Sequence, residues 1–198
     1  MSSERAPSRL SGSVVLVPVK AFAHAKERLA PSLDRRRRAE IARVMADHVL
    51  DAARPLPVAV VCDDDEVAEW AASHSAIVLS EPGRGLNGAV EAGVASLAAA
   101  GAGEVIVAHS DLPFAHGLAR LTGFGGVTLV PDRRDDGTNV VCLPSSVPFH
   151  FSYGPGSFTR HVAEAQRLGL ELRTLRELDL AWDVDVPSDI PSDLARFT

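Results

Sequence analysis

Seven short apolar runs, most of them followed by a helical or turn-forming segment, constrain this chain more than any other feature. They are Val14 to Val19, Val58 to Cys62, Ala76 to Leu79, Glu104 to Ala108, Val127 to Val130, Val140 to Leu143 and Leu170 to Leu175. Many are continuously apolar rather than alternating, as strands are when both faces of a parallel sheet are covered. In the first long gap Ile41, Val44, Met45, His48, Val49 and Ala52 follow the i, i+3, i+4, i+7 spacing of a helix, which predicts one buried face holding Met45 and His48. Val67 to Ala72, Ala89 to Ala98 and Phe158 to Leu168 are further helical segments. Strand and helix in alternation predict an α/β protein with a mostly parallel sheet and helices on both faces. A chain of 198 residues can bury one sizeable core, so residues 13–198 are expected to form a single domain after a flexible tail of residues 1–12.

No apolar run approaches the roughly 20 residues of a membrane span, and the first twelve residues lack the apolar centre of a signal peptide. A soluble, cytoplasmic protein is expected. Cys62 and Cys142 each end an apolar run without metal-ligand spacing, which predicts buried reduced thiols. The net charge of −6 is unevenly divided: residues 1–54 hold eleven Lys and Arg against six Asp and Glu, whereas the remainder holds nine against twenty. An acidic protein with one basic lobe is a poor general nucleic-acid binder and suits a small polyanion. The Arg35 to Arg38 run reads as a solvated helix face.

Ligands of open α/β sheets bind beyond the carboxyl ends of the strands. The first such end carries Lys20 and Lys26, the only lysines in a chain that otherwise uses Arg. This loop lacks the glycines of a dinucleotide fingerprint or a Walker loop. Lys20, Lys26 and Arg28 can converge on a triphosphate if the loop folds back; an ordinary solvated turn is the alternative. A later strand delivers Asp111. Asp183 and Asp185 share one face of an extended segment, about 6.6 Å apart at Cα, with Val184 turned into the core. Close carboxylates repel unless a cation or proton separates them, and an all-oxygen set favours Mg²⁺ over zinc or copper. Pro187 then stops the strand, and Ser188 or Asp189 can cap a last short helix; that Asp183 and Asp185 merely cap that turn is the alternative. Asp63 to Asp65 read as a helix cap, and Trp70 and Trp182 as packing residues. Asp136 to Asn139 form a turn whose polar groups can bind a ligand. Tyr153 to Phe158 form a glycine-rich bend whose free N–H groups would favour an anion, or a purely structural turn. No histidine pair or nucleophile elbow favours a hydrolase.

Taken in order, Pro18-Val19-Lys20 with Ala25-Lys26 and Arg28-Leu29-Ala30, Gly85-Leu86-Asn87, Ser110 to Pro113, Pro131 to Arg133 with Gly137 to Asn139, Gly154 to Phe158 and Asp183 to Asp185 form a recognisable set. The chain resembles the 2-phospho-L-lactate or phosphoenolpyruvate guanylyltransferases of deazaflavin coenzyme F-420 biosynthesis, from about Val14 to Ile190. The resemblance implies a three-layer nucleotidyltransferase fold like that of type A glycosyltransferases, GTP as donor and a phosphorylated three-carbon acid as acceptor. It implies that Asp111, Asp183 and Asp185 hold Mg²⁺, that Thr138, Gly154 and Ser157 hold the acceptor, and that Lys20, Lys26 and Arg28 meet the triphosphate. Gly85, Leu86 and Asn87 would lie near the nucleoside. Ser110, the Asp135-Asp136 pair and Trp182 depart from the family pattern and touch substrate fit rather than the metal ligands.

An acceptor phosphate is anionic at neutral pH, so its attack on the α-phosphorus of GTP requires no general base, in keeping with the lack of an evident catalytic histidine. The expected products are pyrophosphate and enolpyruvoyl-2-diphospho-5'-guanosine, or lactyl-2-diphospho-5'-guanosine from 2-phospho-L-lactate. The Arg- and Ala-rich composition is that of a GC-rich bacterium, and for such bacteria the resemblance implies phosphoenolpyruvate, by association only. Nucleotidyltransferases for sugar phosphates or molybdopterin-type cofactors usually open with a glycine-rich donor loop, absent here. A glycosyltransferase of the same fold would consume a nucleotide-sugar. A catalytically silent nucleotide-binding module would bind GTP without releasing pyrophosphate. A homo-oligomer, and hand-off of product to a following enzyme, fit this picture.

Overall fold

The structure, a computed structural model, describes residues 10–192. Of the tail expected at residues 1–12, residues 1–9 lie outside that range; Leu10 donates its amide to the Ala100 carbonyl, and the Gly12 carbonyl accepts from Gly103. Each apolar run forms a strand: β1 (Ser13–Pro18), β2 (Val58–Cys62), β3 (Ile77–Ser80), β4 (Glu104–Ala108), β5 (Val127–Pro131), β6 (Thr138–Pro144) and β7 (Leu172–Thr174). The helices are α1 (Arg35–Ala52), α2 (Asp65–Ser73), α3 (Gly85–Ala99), α4 (Ser157–Arg167) and the short α5 (Leu178–Ala181). One sheet runs β3-β2-β1-β4-β6-β5-β7. Its strand pairs are parallel except those of β6, which is antiparallel to both β4 and β5. The β5–β6 connection spans only residues 132–137, too short for the crossover a parallel pair needs.

Alternation along β1 sends Val15 and Val17 into the core beneath α1 and α2, and Val14 and Leu16 into the core beneath α3 and α4. The protein is therefore three-layered. At Gly93 of α3 a Cβ would come within 2.9 Å of Leu16 Cδ2, so this glycine lets helix and sheet approach closely. α1 and α2 are capped by Asp34 and Asp64, which accept from Arg37 N and Val67 N; Asp64 thus fills the cap expected of Asp63 to Asp65. Both cysteines are free and buried. Trp70 is buried and donates to Asp47, whereas Trp182 packs beneath the Arg133 guanidinium.

The expected face of α1 is corrected. Its buried residues are Ile41, Ala42, Met45, Ala46, Val49, Leu50 and Ala52, and His48 is exposed. Small alanines at 42 and 46 let the helix rotate toward the sheet, carrying His48 to solvent. The arginine run also departs from a purely solvated face, because Arg35 donates to Ala23 O and Arg38 to Lys26 O. Two of the four arginines hold the lysine-bearing loop.

Candidate active site

The carboxyl ends of β1, β2 and β4 open on a cleft of about 460 Å³. Lys20, Lys26 and Arg28 line it from the β1 side, Asp63 from β2, His109, Ser110 and Asp111 from β4, and Gly85 and Leu86 from the first turn of α3. Lys20 and Arg28 are exposed. Lys26 is not, because its side chain turns inward to donate to Asp111 Oδ2 at 2.5 Å and lies 3.8 Å from Asp185 Oδ1. Its backbone is left-handed, with φ 55°, a conformation that costs a non-glycine residue about 1 kcal/mol or more. Arg28 completes the cluster at 3.1 Å from Asp185 Oδ2. The loop does fold back, and the basic segment meets two of the three candidate carboxylates.

The Asp183–Asp185 segment is held from both sides. Val184 is fully buried with Leu29, Ile41 and Met45, and its amide donates to the Asp111 carbonyl. Asp189 caps the last short helix, as expected, though from within its first turn rather than from ahead of it. It lies within a terminal turn (Pro187–Asp189), accepts backwards from the amides of Asp185 and Val186, and is itself paired with Arg133. Sequence reasoning named Asp189 as a cap but not its pairing with the hairpin-tip Arg133 or its hold on the Asp185 amide, because those partners are remote or main-chain.

The electrostatics of the three aspartates differ. Burial pushes the Asp111 carboxyl up, but Lys26 and His109 outweigh it and hold it below the ordinary range. Burial, with Asp111 and Asp185 nearby, pushes Asp183 up to about 6. Asp111 Oδ1 and Asp183 Oδ1 are buried without a hydrogen-bond partner. Such oxygens are costly to leave unpaired, and a hard cation satisfies them. Among the described residues no three His, Cys, Asp or Glu side chains are already drawn into a metal-holding group. Lys26 instead lies beside two of these aspartates as a cation. The donor set fits Mg²⁺.

Thr138, Gly154 and Ser157 lie beside this centre rather than in the cleft wall. The β4–β6 pairing continues past its last strand pair, with His109 N donating to Asn139 O, which brings the start of β6 alongside the residues before Asp111. Thr138 and Ser157 are both buried, and Ser157 Oγ donates to Thr138 Oγ1 at 3.4 Å. The free amides expected at the glycine-rich bend are a correction. Gly156 N and Phe158 N donate to Asp136 Oδ1 and Asp136 O, and Ser157 N donates to Gly154 O. Asp136 already occupies the helix N-terminus as its anion. Asn87 turns its side-chain oxygen to the Tyr153 amide at 2.7 Å, away from the cleft that Gly85 and Leu86 line.

Three side chains here, Tyr153 and His161 buried and His109 half-buried, escaped sequence reasoning. His109 lines the cleft, and its Nε2 has no hydrogen-bond partner; burial pushes its pKa down. Tyr153 packs against His109 with ring centroids 4.8 Å apart, and its hydroxyl is also unpartnered. His161 contacts Thr138. Only the position of His109, two residues before Asp111 at a strand end, could have marked it in advance.

Residues 13–194 match the family model described as guanylyl transferase CofC like. A phosphoenolpyruvate guanylyltransferase of Sphaerobacter thermophilus is 37% identical over 187 residues, 90% of each chain. One of Thermomonospora curvata is 37% identical over 204 residues, covering 96% of this chain and 86% of that protein. Among solved structures, a putative nucleotide-diphospho-sugar transferase from Desulfovibrio desulfuricans superposes with a TM-score of 0.71 at 17% identity, over 88% of this chain and 82% of that one. A nucleotidyl transferase from Methanothermobacter gives 0.62 at 17%, over 94% and 97%. These two likenesses show the fold. No helix among the described residues is long and apolar enough to cross a membrane.

Proposed function

We propose, from the premise that this chain belongs to the CofC-like guanylyl transferase family, that it transfers GMP from GTP to the phosphate of phosphoenolpyruvate. An acceptor phosphate oxygen bonds to the α-phosphorus, the bond from that phosphorus to the β-bridging oxygen breaks, and pyrophosphate leaves with the electron pair. The product is enolpyruvoyl-2-diphospho-5'-guanosine, placing the enzyme in coenzyme F-420 biosynthesis and in the cytoplasm. The names of the relatives support phosphoenolpyruvate over 2-phospho-L-lactate. The observation that carries the reading is the pair of buried, unpartnered oxygens of Asp111 and Asp183 beside a lysine-lined cleft.

Each part has a physical task. Exposed Lys20 and Arg28 supply positive charge to the β- and γ-phosphates, where the leaving group gains charge. Lys26 neutralises Asp111 and Asp185 and so keeps the carboxylates from repelling the incoming anions. Asp111, Asp183 and Asp185 would hold Mg²⁺, which when bound supplies Lewis-acid stabilisation of the phosphate oxygens. Thr138 and Gly154 orient the acceptor, with Ser157 acting through its hydrogen bond to Thr138. Incubation with GTP, Mg²⁺ and phosphoenolpyruvate, 2-phospho-L-lactate or 3-phosphoglycerate, with pyrophosphate measured, is the test. Fastest release with phosphoenolpyruvate is expected. Preference for another acid overturns the acceptor assignment, and no release with any acid overturns the activity.

A further inference from the structure

His161 on α4 is fully buried, and neither GTP nor a metal is needed to explain where it sits. Its Nε2 accepts from the Ser152 backbone amide at 2.9 Å, so that nitrogen presents a lone pair. The single ring hydrogen of a neutral imidazole is then on Nδ1, an assignment made from the hydrogen-bond network. Nδ1 lies 3.0 Å from Thr138 Oγ1, and it is the donor. Ser157 Oγ donates to the same oxygen. A hydroxyl has two lone pairs and one hydrogen, so with both lone pairs engaged the Thr138 hydrogen is left to donate to a third partner.

We infer that His161 is a positioning residue that makes the Thr138 hydroxyl an obligate hydrogen-bond donor toward an anionic oxygen of the acceptor. The inference rests on the proposed contact between Thr138 and the acceptor. A carboxylate or phosphate oxygen only accepts, so a threonine whose hydrogen is already turned away from His161 and Ser157 meets it without reorganisation. A threonine free to rotate would spend part of its time presenting a lone pair to the same anion. The surroundings keep the ring neutral: Phe149, Phe151 and Tyr153 pack around it, and burial followed by the Arg160 charge pushes its pKa down to about 4. Among the other charged groups nearby, His109 and His150 act in the same direction and Glu164 opposes them.

Two substitutions separate the two nitrogens. His161→Asn places an amide near the Nδ1 position, keeping donation to Thr138 while abandoning the Ser152 amide. His161→Gln reaches the Nε2 position, keeping an acceptor for Ser152 while abandoning Thr138. H161Q is expected to raise KM for the acceptor about three- to tenfold, with kcat and KM for GTP within about twofold of wild type. H161N is expected to keep the acceptor KM near wild type even though it melts earlier. Acceptor KM values that follow melting temperature across both variants would overturn the positioning role. Thr138→Val separates the inference from its premise. If T138V leaves the acceptor KM unchanged, the premise fails; if T138V raises it and H161Q does not, only the role of His161 fails. Ring-nitrogen NMR of the wild-type protein is a check independent of variant folding, and a hydrogen found on Nε2 would refute the inference.

Discussion

Replacing Asp183 with Asn should stabilise the substrate-free protein while removing its activity. The carboxyl titrates at about 6, against an ordinary 3.8, because it is buried and faces Asp111 and Asp185. At 1.36 kcal/mol per unit, holding it ionised at pH 7 costs the fold about 3 kcal/mol; partial access to solvent reduces this to about 1–2 kcal/mol. The sign follows from linkage. With the folded-state value raised, the native state holds a proton the unfolded chain has lost between pH 3.8 and 6. The wild type therefore has its full stability from this group below about 4 and loses it as pH rises through 6. Asn carries no charge to bury, so D183N should exceed wild type above pH 6 and converge with it below pH 4. For a domain of this size the gain corresponds to a rise in Tm of about 3–6 °C at pH 7. Chemical and thermal unfolding across pH, in a chelating buffer, measures it. Adding Mg²⁺ and GTP should then raise the Tm of wild type and not of the variant. A D183N protein that is no more stable than wild type at pH 7, or whose advantage persists at pH 4, refutes the reasoning.

Lys26→Ala strips Asp111 of its counter-charge and should cost the substrate-free protein about 2–4 kcal/mol, read by urea unfolding, while raising KM for GTP more than KM for the acceptor. Lys20→Ala should raise KM for GTP with under about 0.5 kcal/mol change in stability, since its side chain is exposed; equal loss for both substrates would make it an ordinary surface charge. Tyr153→Phe removes a buried hydroxyl that has no partner, so Tm should hold or rise, and a fall would reveal a bond to that oxygen. At Gly126 a new Cβ would lie 2.2 Å from the Glu171 carbonyl oxygen, so Gly126→Ala should lose about 3 kcal/mol as β5 and β7 are forced apart; unchanged unfolding would contradict the β5–β7 packing.

The sheet was legible because buried parallel strands announce themselves as unbroken apolar runs, and Asp111 because it follows one of them. The placement of Asp183 and Asp185 on one side of the chain with Val184 on the other followed from the two-residue period of extended backbone. Other features depended on partners remote in sequence. Nothing near Lys26 says that its backbone is left-handed or that its ammonium reaches a carboxylate 85 residues away. The bend before α4 looked like an anion site because glycines mark a helix start, but they cannot show that Asp136 already fills it. His48 misled because spacing alone does not fix the rotation of a helix with alanines on both flanks. His161 looked like an unremarkable helical residue until Thr138 and Ser152 were seen on its two nitrogens.

The reversal of β6 has a consequence for how such an enzyme can diversify. Because that strand runs against its neighbours, the β5–β6 tip returns to the edge where the parallel strands end, carrying Asp136 and Thr138 on a hairpin rather than on a strand-to-helix crossover. A hairpin tip can gain or lose residues without shifting the register of the strands that carry Lys20 and Asp111. On the proposed assignment, acceptor-facing residues of the tip are thus adjustable apart from those strands, but Arg133 in the same tip pairs with Asp189 and so ties it to the Asp185 segment. Only the part of the tip beyond Arg133 is therefore open to change that leaves the Asp185 segment, and with it the proposed site for GTP, as it was.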